Sequence, residues 1–323
     1  MFSRDDADNL RRSLGPMRFH GSTPRSSLIK AYCDFYGLHF ASEARPVEHS
    51  LGLLRSGEFD VVCQHFQLQT SEQRGTVFLL HGYFDHVGIY NHLIQHCLDT
   101  GFSVVIFDLP GHGLSSGTPA SIRAFDQYSA ALFSCLEQAQ TQEVNSPWVA
   151  IGQSTGGAIL LQALLHEQLT ARYQFESIIL LAPLLRPRHW WRSYLLFLLT
   201  RPFITATPRT FAENSQDQAF LEFLQNSDAL QSQFLQGDWV KAMIRYQSLF
   251  ERSSQQRQAL NLIQGSEDGT VNWQYNLRRI TEKFPDSKIY MIEGAGHHLV
   301  NESERYRDRV FTAIDNILIA ARI

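Results

Sequence analysis

Gly152-Gln153-Ser154-Thr155-Gly156 places one hydroxyl among small residues, where a strand pattern gives way to a helix pattern. Trp148-Val149-Ala150-Ile151 precedes it as a short apolar run with β-formers, and Gly157 to Leu165 follows with helix-formers. A serine on so sharp a turn is held in a strained backbone geometry with its hydroxyl presented, and small neighbours let the helix pack close to the strand. The chemistry this suggests is nucleophilic attack by Ser154. A serine hydroxyl attacks only when a base takes its proton, and the base needs a third group to fix its tautomer and stabilise its cation. The pentapeptide is common by itself, so its meaning rests on whether such partners stand in matching positions.

Two late segments supply candidates. Gln264-Gly265-Ser266-Glu267-Asp268-Gly269 follows the strand pattern Ala259 to Gln264, and Gly294-Ala295-Gly296-His297-His298 follows the strand pattern Lys288 to Ile292. Asp268 competes with Glu267 for the acid, and His297 with His298 for the base. The small-residue turn Gly-Ala-Gly favours His297, while His298, His112 and His86 read as structural. A developing oxyanion needs preorganised N–H donors. The backbone N–H of Thr155, directly after the serine, is one candidate. The N–H of Tyr83, in His81-Gly82-Tyr83 at the end of the apolar run Thr76 to Leu80, is the other.

The elements that must position these residues follow a regular rhythm. Short apolar runs at Thr76–Leu80, Ser103–Phe107, Trp148–Ile151 and Ser177–Ala182 have the character of strands buried on both faces. Helix patterns separate them, at Gly88–Asp99, Ser121–Gln140 and after the strand-to-helix elbow at Ser154. Phe59–Leu68 reads as an edge strand, and Ser26–Tyr36 as a helix in an otherwise mixed extension over residues 1 to about 58. Strands alternating with helices predict an α/β fold, a mostly parallel central sheet flanked by helices. From 186 to 257 no clear buried strand appears; the segment looks helical and rich in Trp, Phe, Leu and Gln. The strand pattern then resumes, with a helix at about 271–284 and a final one at about 302–321. The expected organisation is one core, residues 1–185 and 258–323, with a helical cap inserted at 186–257.

Composition bounds the function. The chain has 323 residues, 44% hydrophobic, with a net charge of -4. No basic field argues for a nucleic-acid partner. Cys33, Cys63, Cys97 and Cys135 are scattered with no C-x-x-C pair, which speaks against a zinc site or a disulfide framework and for buried free thiols. No apolar stretch approaches the roughly 18 residues of a membrane span, and the N-terminus lacks the apolar core of a signal peptide. The expectation is a cytoplasmic protein, peripheral to the membrane if it meets one.

Taken together the motifs resemble the α/β-hydrolase superfamily, and within it the monoacylglycerol lipase and lysophospholipase branch. The matching pieces are His81 to His86 with Tyr90, Phe107-Asp108-Leu109-Pro110-Gly111-His112-Gly113-Leu114-Ser115, the elbow, Gly265 to Asp268, and Gly294 to His297 with Glu302 behind it. They stand in the family's order across about residues 59 to 320. Family members commonly carry Gly-Glu-His where this chain has Phe84-Asp85-His86. The resemblance favours Asp268, at the end of a G-x-x-D turn, over Glu267. It implies a Ser154–His297–Asp268 triad, an oxyanion hole at the N–H groups of Tyr83 and Thr155, and a serine hydrolase needing neither metal nor cofactor. The implied substrates are carboxylic esters, often with a fatty acyl chain. An acyltransferase or thioesterase on the same triad, or a non-catalytic lipid binder on the same fold, are the alternatives.

The inserted segment is uneven in charge. Arg186 to Arg209 holds five arginines and no acid, around the run His189-Trp190-Trp191-Arg192-Ser193-Tyr194-Leu195-Leu196-Phe197-Leu198-Leu199. Thr210 to Val240 holds Glu213, Asp217, Glu222, Asp228 and Asp238 and no Lys or Arg. The basic aromatic half would either pack on the core and line an acyl pocket or touch an anionic lipid surface transiently, since Trp and Arg suit interfaces.

Overall fold

The computed structural model describes residues 2–42, 45–200, 205–211 and 213–321; Arg201 and Phe203 of the basic aromatic half lie outside them. Eight strands form one sheet: β1 (Val47–Ser56), β2 (Phe59–Leu68), β3 (Gly75–Leu80), β4 (Phe102–Phe107), β5 (Trp148–Gln153), β6 (Ser177–Leu181), and two late strands, Asn261–Gly265 and Lys288–Ile292. A separate two-stranded ribbon, β7 (Ala206–Pro208) with β8 (Phe234–Gln236), lies between them in the chain, so the late strands are β9 and β10. The spatial order is β1-β2-β4-β3-β5-β6-β9-β10. β1 pairs with β2 and β2 with β4 antiparallel, and every pair from β4 to β10 is parallel.

The parallel strands carry apolar side chains on both faces, and the period of two sorts them into two cores. Phe78 and Leu80 of β3, Val105 and Phe107 of β4 and Ala150 of β5 face one core with the helices Asp126–Thr141 and Thr155–His166. Val77, Leu79, Val104, Ile106, Val149 and Ile151 face the other with the helices Ser27–Tyr36, Asn91–Asp99 and Glu304–Ala320. Helices cover both faces because both faces are predominantly apolar.

Three local expectations are corrected. β2 is not the edge of the sheet: β1, less regular in sequence, pairs with it over its whole length through the turn at Gly57, whose φ of 56° suits a residue without a Cβ. The helix expected from Ser121 begins at Asp126, because the preceding stretch folds back on Gly111 and Thr118. The helix expected from Gly88 begins at Asn91, after a single tight turn that His86 Nδ1 caps at the Gly88 N–H. The extension ahead of β1 also holds a helix, Arg4–Ser13, started by a reciprocal Ser3–Asp6 capping box.

Between β6 and β9 stand the helices Trp190–Thr200, Gln218–Asn226 and Gly237–Arg252 with the ribbon. Its acidic half is not a solvated face throughout. Asp228 is buried, accepting from His86 Nε2 at 2.8 Å, Tyr36 Oη at 2.9 Å and the Leu230 N–H at 3.1 Å. Arg4 donates to the Leu230 and Gln231 carbonyls nearby. Among the described residues no helix is long and apolar enough to cross a membrane.

Candidate active site

Four residues singled out in the sequence lie just beyond the C-terminal ends of parallel strands: Tyr83 after β3, Ser154 after β5, Asp268 after β9 and His297 after β10. Adjacent parallel strands end at one edge, so their following loops converge there. Ser154 has φ 52° and ψ -107°, a costly backbone state for a residue with a Cβ. The turn holds it because Ser154 N donates to Leu181 O at 2.8 Å and Ala158 N donates to Ser154 O at 3.1 Å. Crowding explains the flanking glycines: a Cβ at Gly152 would lie 2.6 Å from the Gly156 carbonyl carbon.

Ser154 Oγ lies 3.0 Å from His297 Nε2, and His297 Nδ1 lies 2.7 Å from Asp268 Oδ2. All three are buried, with exposures of 8%, 5% and 5%. Asp268 is held on every side: Oδ2 also accepts from Gln264 Nε2 at 2.9 Å, and Oδ1 accepts from the N–H groups of Thr270 at 2.9 Å and Val271 at 3.0 Å. Burial opposes its charge, but the His297 ring and these donors outweigh it and hold the carboxyl below its usual range. Burial likewise opposes an imidazolium at His297; the charge and hydrogen bond of Asp268, then the charge of Asp85, win and raise its pKa. Glu267 is exposed and has no part in this chain of contacts.

His298 sits elsewhere: its Nε2 lies 3.2 Å from Asp85 Oδ1. His86 is committed to Asp228, and His112 Nδ1 faces the Pro110 carbonyl at 3.0 Å. The N–H groups of Tyr83 and Thr155 take no acceptor among the described residues. The Thr155 N–H opens the helix Thr155–His166, whose N-terminal dipole favours negative charge. A cleft of about 620 Å³ opens on the Asp268 side, between Arg186, Arg188, Trp191 and Arg192, which follow β6, and Asn272 and Trp273, which follow β9; Ser154 and His297 do not line it.

A family profile described as Serine aminopeptidase, S33 (Hydrolase_4) matches residues 71–304, most of the chain. The chain belongs to this family. The curated relatives include a monoacylglycerol lipase of Mycolicibacterium smegmatis, 31% identical over 90 residues, which are 28% of this chain and 32% of that protein. Another is the phospholipase YtpA of Bacillus subtilis, 29% identical over 86 residues, 27% of this chain and 32% of that protein. The matched part thus spans about a third of either relative's length. Among solved structures, a soluble variant of the Saccharomyces cerevisiae monoglyceride lipase covers 83% of this chain and 96% of its own, with a TM-score of 0.69 at 16% identity. The Paleococcus ferrophilus monoacylglycerol lipase covers 81% of this chain and 99% of its own, with a TM-score of 0.63 at 22% identity. At such identities the likeness is one of fold, and the fold is that of the α/β hydrolases. The family match begins at residue 71, so β1, β2 and the two N-terminal helices stand outside it.

Several contacts that shape the candidate site carried no assigned role in the sequence. Gln153 Nε2 donates to the His297 carbonyl at 2.9 Å from inside the pentapeptide itself. The Asn214 carbonyl accepts from the N–H groups of His297 at 3.0 Å and His298 at 2.8 Å. The fully buried Glu302 carboxylate accepts from the N–H groups of Gly296 at 2.6 Å, Gln216 at 2.9 Å and Ser303 at 3.0 Å. Asn214 and Gln216 lie in the segment between β6 and β9, where no motif pointed to them. Trp239, also of that segment, stacks on Tyr83 with ring centroids 3.8 Å apart.

Proposed function

We propose that this protein is a serine hydrolase of carboxylic esters, with monoacylglycerols or lysophospholipids as its substrates. The observation that carries the reading is the unbroken line Ser154 Oγ, His297 Nε2, His297 Nδ1, Asp268 Oδ2, with separations of 3.0 and 2.7 Å. In this reading Ser154 Oγ attacks the acyl carbon as its proton passes to His297 Nε2. Asp268 keeps Nδ1 protonated and stabilises the imidazolium. The carbonyl oxygen becomes an oxyanion, and the N–H groups of Tyr83 and Thr155 receive it. The C–O bond to the leaving alcohol breaks, and the alcohol leaves with the proton from His297. Water, deprotonated by His297, then attacks the acyl-enzyme and releases the acid and Ser154. The names of the curated relatives support a lipid ester as the substrate class.

In the same proposal residues 186–257 are a cap on the core formed by 1–185 and 258–323, and the protein is cytoplasmic and touches lipid surfaces transiently. The helix Trp190–Thr200 supports that contact: Trp190 is buried, while Trp191, Leu195 and Leu199 are 68%, 58% and 67% exposed beside Arg188 and Arg192. An apolar face next to cations suits the boundary of an anionic bilayer.

A fluorophosphonate probe followed by an ester panel of graded chain length tests the function. The reading requires stoichiometric labelling of Ser154 and ester turnover that Ser154→Ala abolishes. No labelling of the folded protein would leave a non-catalytic lipid binder. Capture of the acyl group by an added alcohol or amine in preference to water would move the protein to acyl transfer.

A further inference from the structure

The loop after β3 contains a second buried carboxylate that the proposed mechanism does not use. Asp85, 6% exposed, reaches three partners. Its Oδ2 accepts from the Gly82 N–H at 3.1 Å and from the Tyr90 hydroxyl at 2.9 Å, and its Oδ1 faces His298 Nε2 at 3.2 Å. Tyr90 Oη also accepts from the Gly82 N–H at 3.0 Å. The other side of the same turn is gripped as well. The Gly82 carbonyl accepts from the Asp85 N–H at 3.2 Å and faces His81 Nδ1 at 2.8 Å, while His81 Nε2 accepts from the Leu109 N–H at 2.9 Å.

The contacts fix two consecutive peptide planes: the Asp85 carboxylate and Tyr90 hold the His81–Gly82 peptide by its N–H, and the Asp85 N–H and the His81 ring hold the Gly82–Tyr83 peptide by its carbonyl. In a trans peptide the carbonyl and the next N–H point in opposite directions. Holding the Gly82 carbonyl therefore aims the Tyr83 N–H away from it, and that N–H is left without an acceptor among the described residues. Gly82 lies against the nucleophile: a Cβ there would come within 3.5 Å of Ser154 Cβ and 2.6 Å of Asp85 Oδ2. His298 is joined by one peptide bond to His297, and both backbone N–H groups share the Asn214 carbonyl.

We propose that Asp85 is a positioning residue for catalysis: its carboxylate anchors Gly82 by the N–H while its own N–H holds the Gly82 carbonyl, so that through Gly82 it sets the aim of the Tyr83 N–H at the oxyanion, and through His298 it ties that loop to the loop carrying His297. The inference rests on the ester-hydrolase reading of Ser154, His297 and Asp268. It gives Asp85 a role beyond holding the fold, because the group it orients meets the reacting oxygen.

The charge adds a second consequence. The titratable and charged groups facing Asp85 are His81 and His86 of its own loop, Tyr90, His112, Arg209 of the inserted segment, and His297 with His298. Burial opposes its ionisation, but the His298 charge and hydrogen bond, His81 and Tyr90 outweigh that and hold the carboxyl well below the usual range. Asp85 is thus an anion throughout the working pH range, and it contributes to the raised pKa of His297.

The test compares Asp85→Ala, Asp85→Asn and Tyr90→Phe by kcat and KM on a soluble short-chain p-nitrophenyl ester, per site titrated with a fluorophosphonate. Losing an oxyanion donor outright costs about 10²–10³ in kcat, so a misaimed one should cost roughly 10–100-fold. Asp85→Ala is expected to lose that much in kcat with KM within about twofold, and its inhibition constant for a trifluoromethyl ketone should weaken in step with kcat/KM, since that adduct carries the oxyanion. Asp85→Asn keeps an acceptor for Gly82 and Tyr90, so it should recover most of the kcat while moving the acid limb of kcat/KM to lower pH. A kcat for Asp85→Ala within about threefold of wild type, or a loss wholly in KM, overturns the proposal. If Asp85→Ala does not fold, Tyr90→Phe decides: it removes one hydroxyl from the same network, and an unchanged kcat counts against the role. Wild-type protein that fails to label at Ser154 defeats the ester-hydrolase reading instead, and the two failures are distinct.

Discussion

Replacing Asp268 by asparagine is the sharpest test of the proposed triad, because the structure fixes which way the new amide must turn. Asp268 Oδ1 accepts from two backbone N–H groups, those of Thr270 and Val271, and Oδ2 faces His297 Nδ1 and Gln264 Nε2. An amide has one acceptor oxygen and one NH2. Turning the NH2 toward Thr270 and Val271 would set donor against donor and leave two N–H groups unsatisfied, each costing about 1–3 kcal/mol. The oxygen therefore stays there and the NH2 faces His297. His297 Nδ1 must then accept, which moves the ring proton to Nε2, against Ser154 Oγ, where no proton can be taken up. Returning to the productive tautomer strands these two N–H groups at about 2–6 kcal/mol, less the bond that Gln264 Nε2 regains, or up to about 10⁴ in population at 1.36 kcal/mol per tenfold. Loss of the charge that stabilises the imidazolium adds to this, so kcat should fall by about 10⁴, the effect known for the equivalent change in a serine protease. The assay is p-nitrophenyl ester turnover per folded molecule, with Glu267→Gln as the companion. A variant keeping kcat within tenfold of wild type, or a larger loss in Glu267→Gln, would refute the assignment.

Three other outcomes follow from the same contacts. His297→Ala should lose at least about 10⁴ in kcat, whereas His298→Ala should keep more of it than His297→Ala does; the reverse order, measured on the same ester, would make His298 the base. The acid limb of kcat/KM should lie above the ordinary histidine value of 6.5, because the base must be neutral and its pKa is raised. The stability sign is opposite: a raised folded pKa contributes stability that is complete below 6.5 and lost as pH rises through the folded value, so pH scans of activity and of urea unfolding should trend apart over that window. Finally, Asp228→Ala leaves His86 and Tyr36 without their buried partner and should lower the unfolding free energy by about 3–5 kcal/mol; a urea midpoint that barely moves would show the tie to be dispensable.

Much of this site was legible along the chain because its parts are local. Short apolar runs mark strands buried on both faces, and the residues directly after each run must lie at the strand's end. The elbow, the Gly-x-x-Asp turn and the Gly-Ala-Gly-His loop were therefore readable as strand-end features, and the alternation of elements foretold a mostly parallel sheet with helices on both faces. Tertiary structure decided what no local pattern encodes. Ser154 and His297 are 143 residues apart, Asp85 and His298 are 213 apart, and Tyr36 and Asp228 are 192 apart. A single hydrogen bond across such a distance leaves no period in the sequence, since it needs only one donor and one acceptor brought together by packing. The choice between neighbours such as Glu267 and Asp268, or His297 and His298, is of the same kind: adjacent residues share a loop but point apart, and only the folded chain fixes which one faces the serine. The edge of the sheet was hidden too, because β1 owes its strand to ten pairings with β2 more than to its own side chains. The sequence by itself determined the chemical groups and the strand ends that hold them; the fold decided their partners, because burial leaves each polar atom only the neighbours that packing supplies.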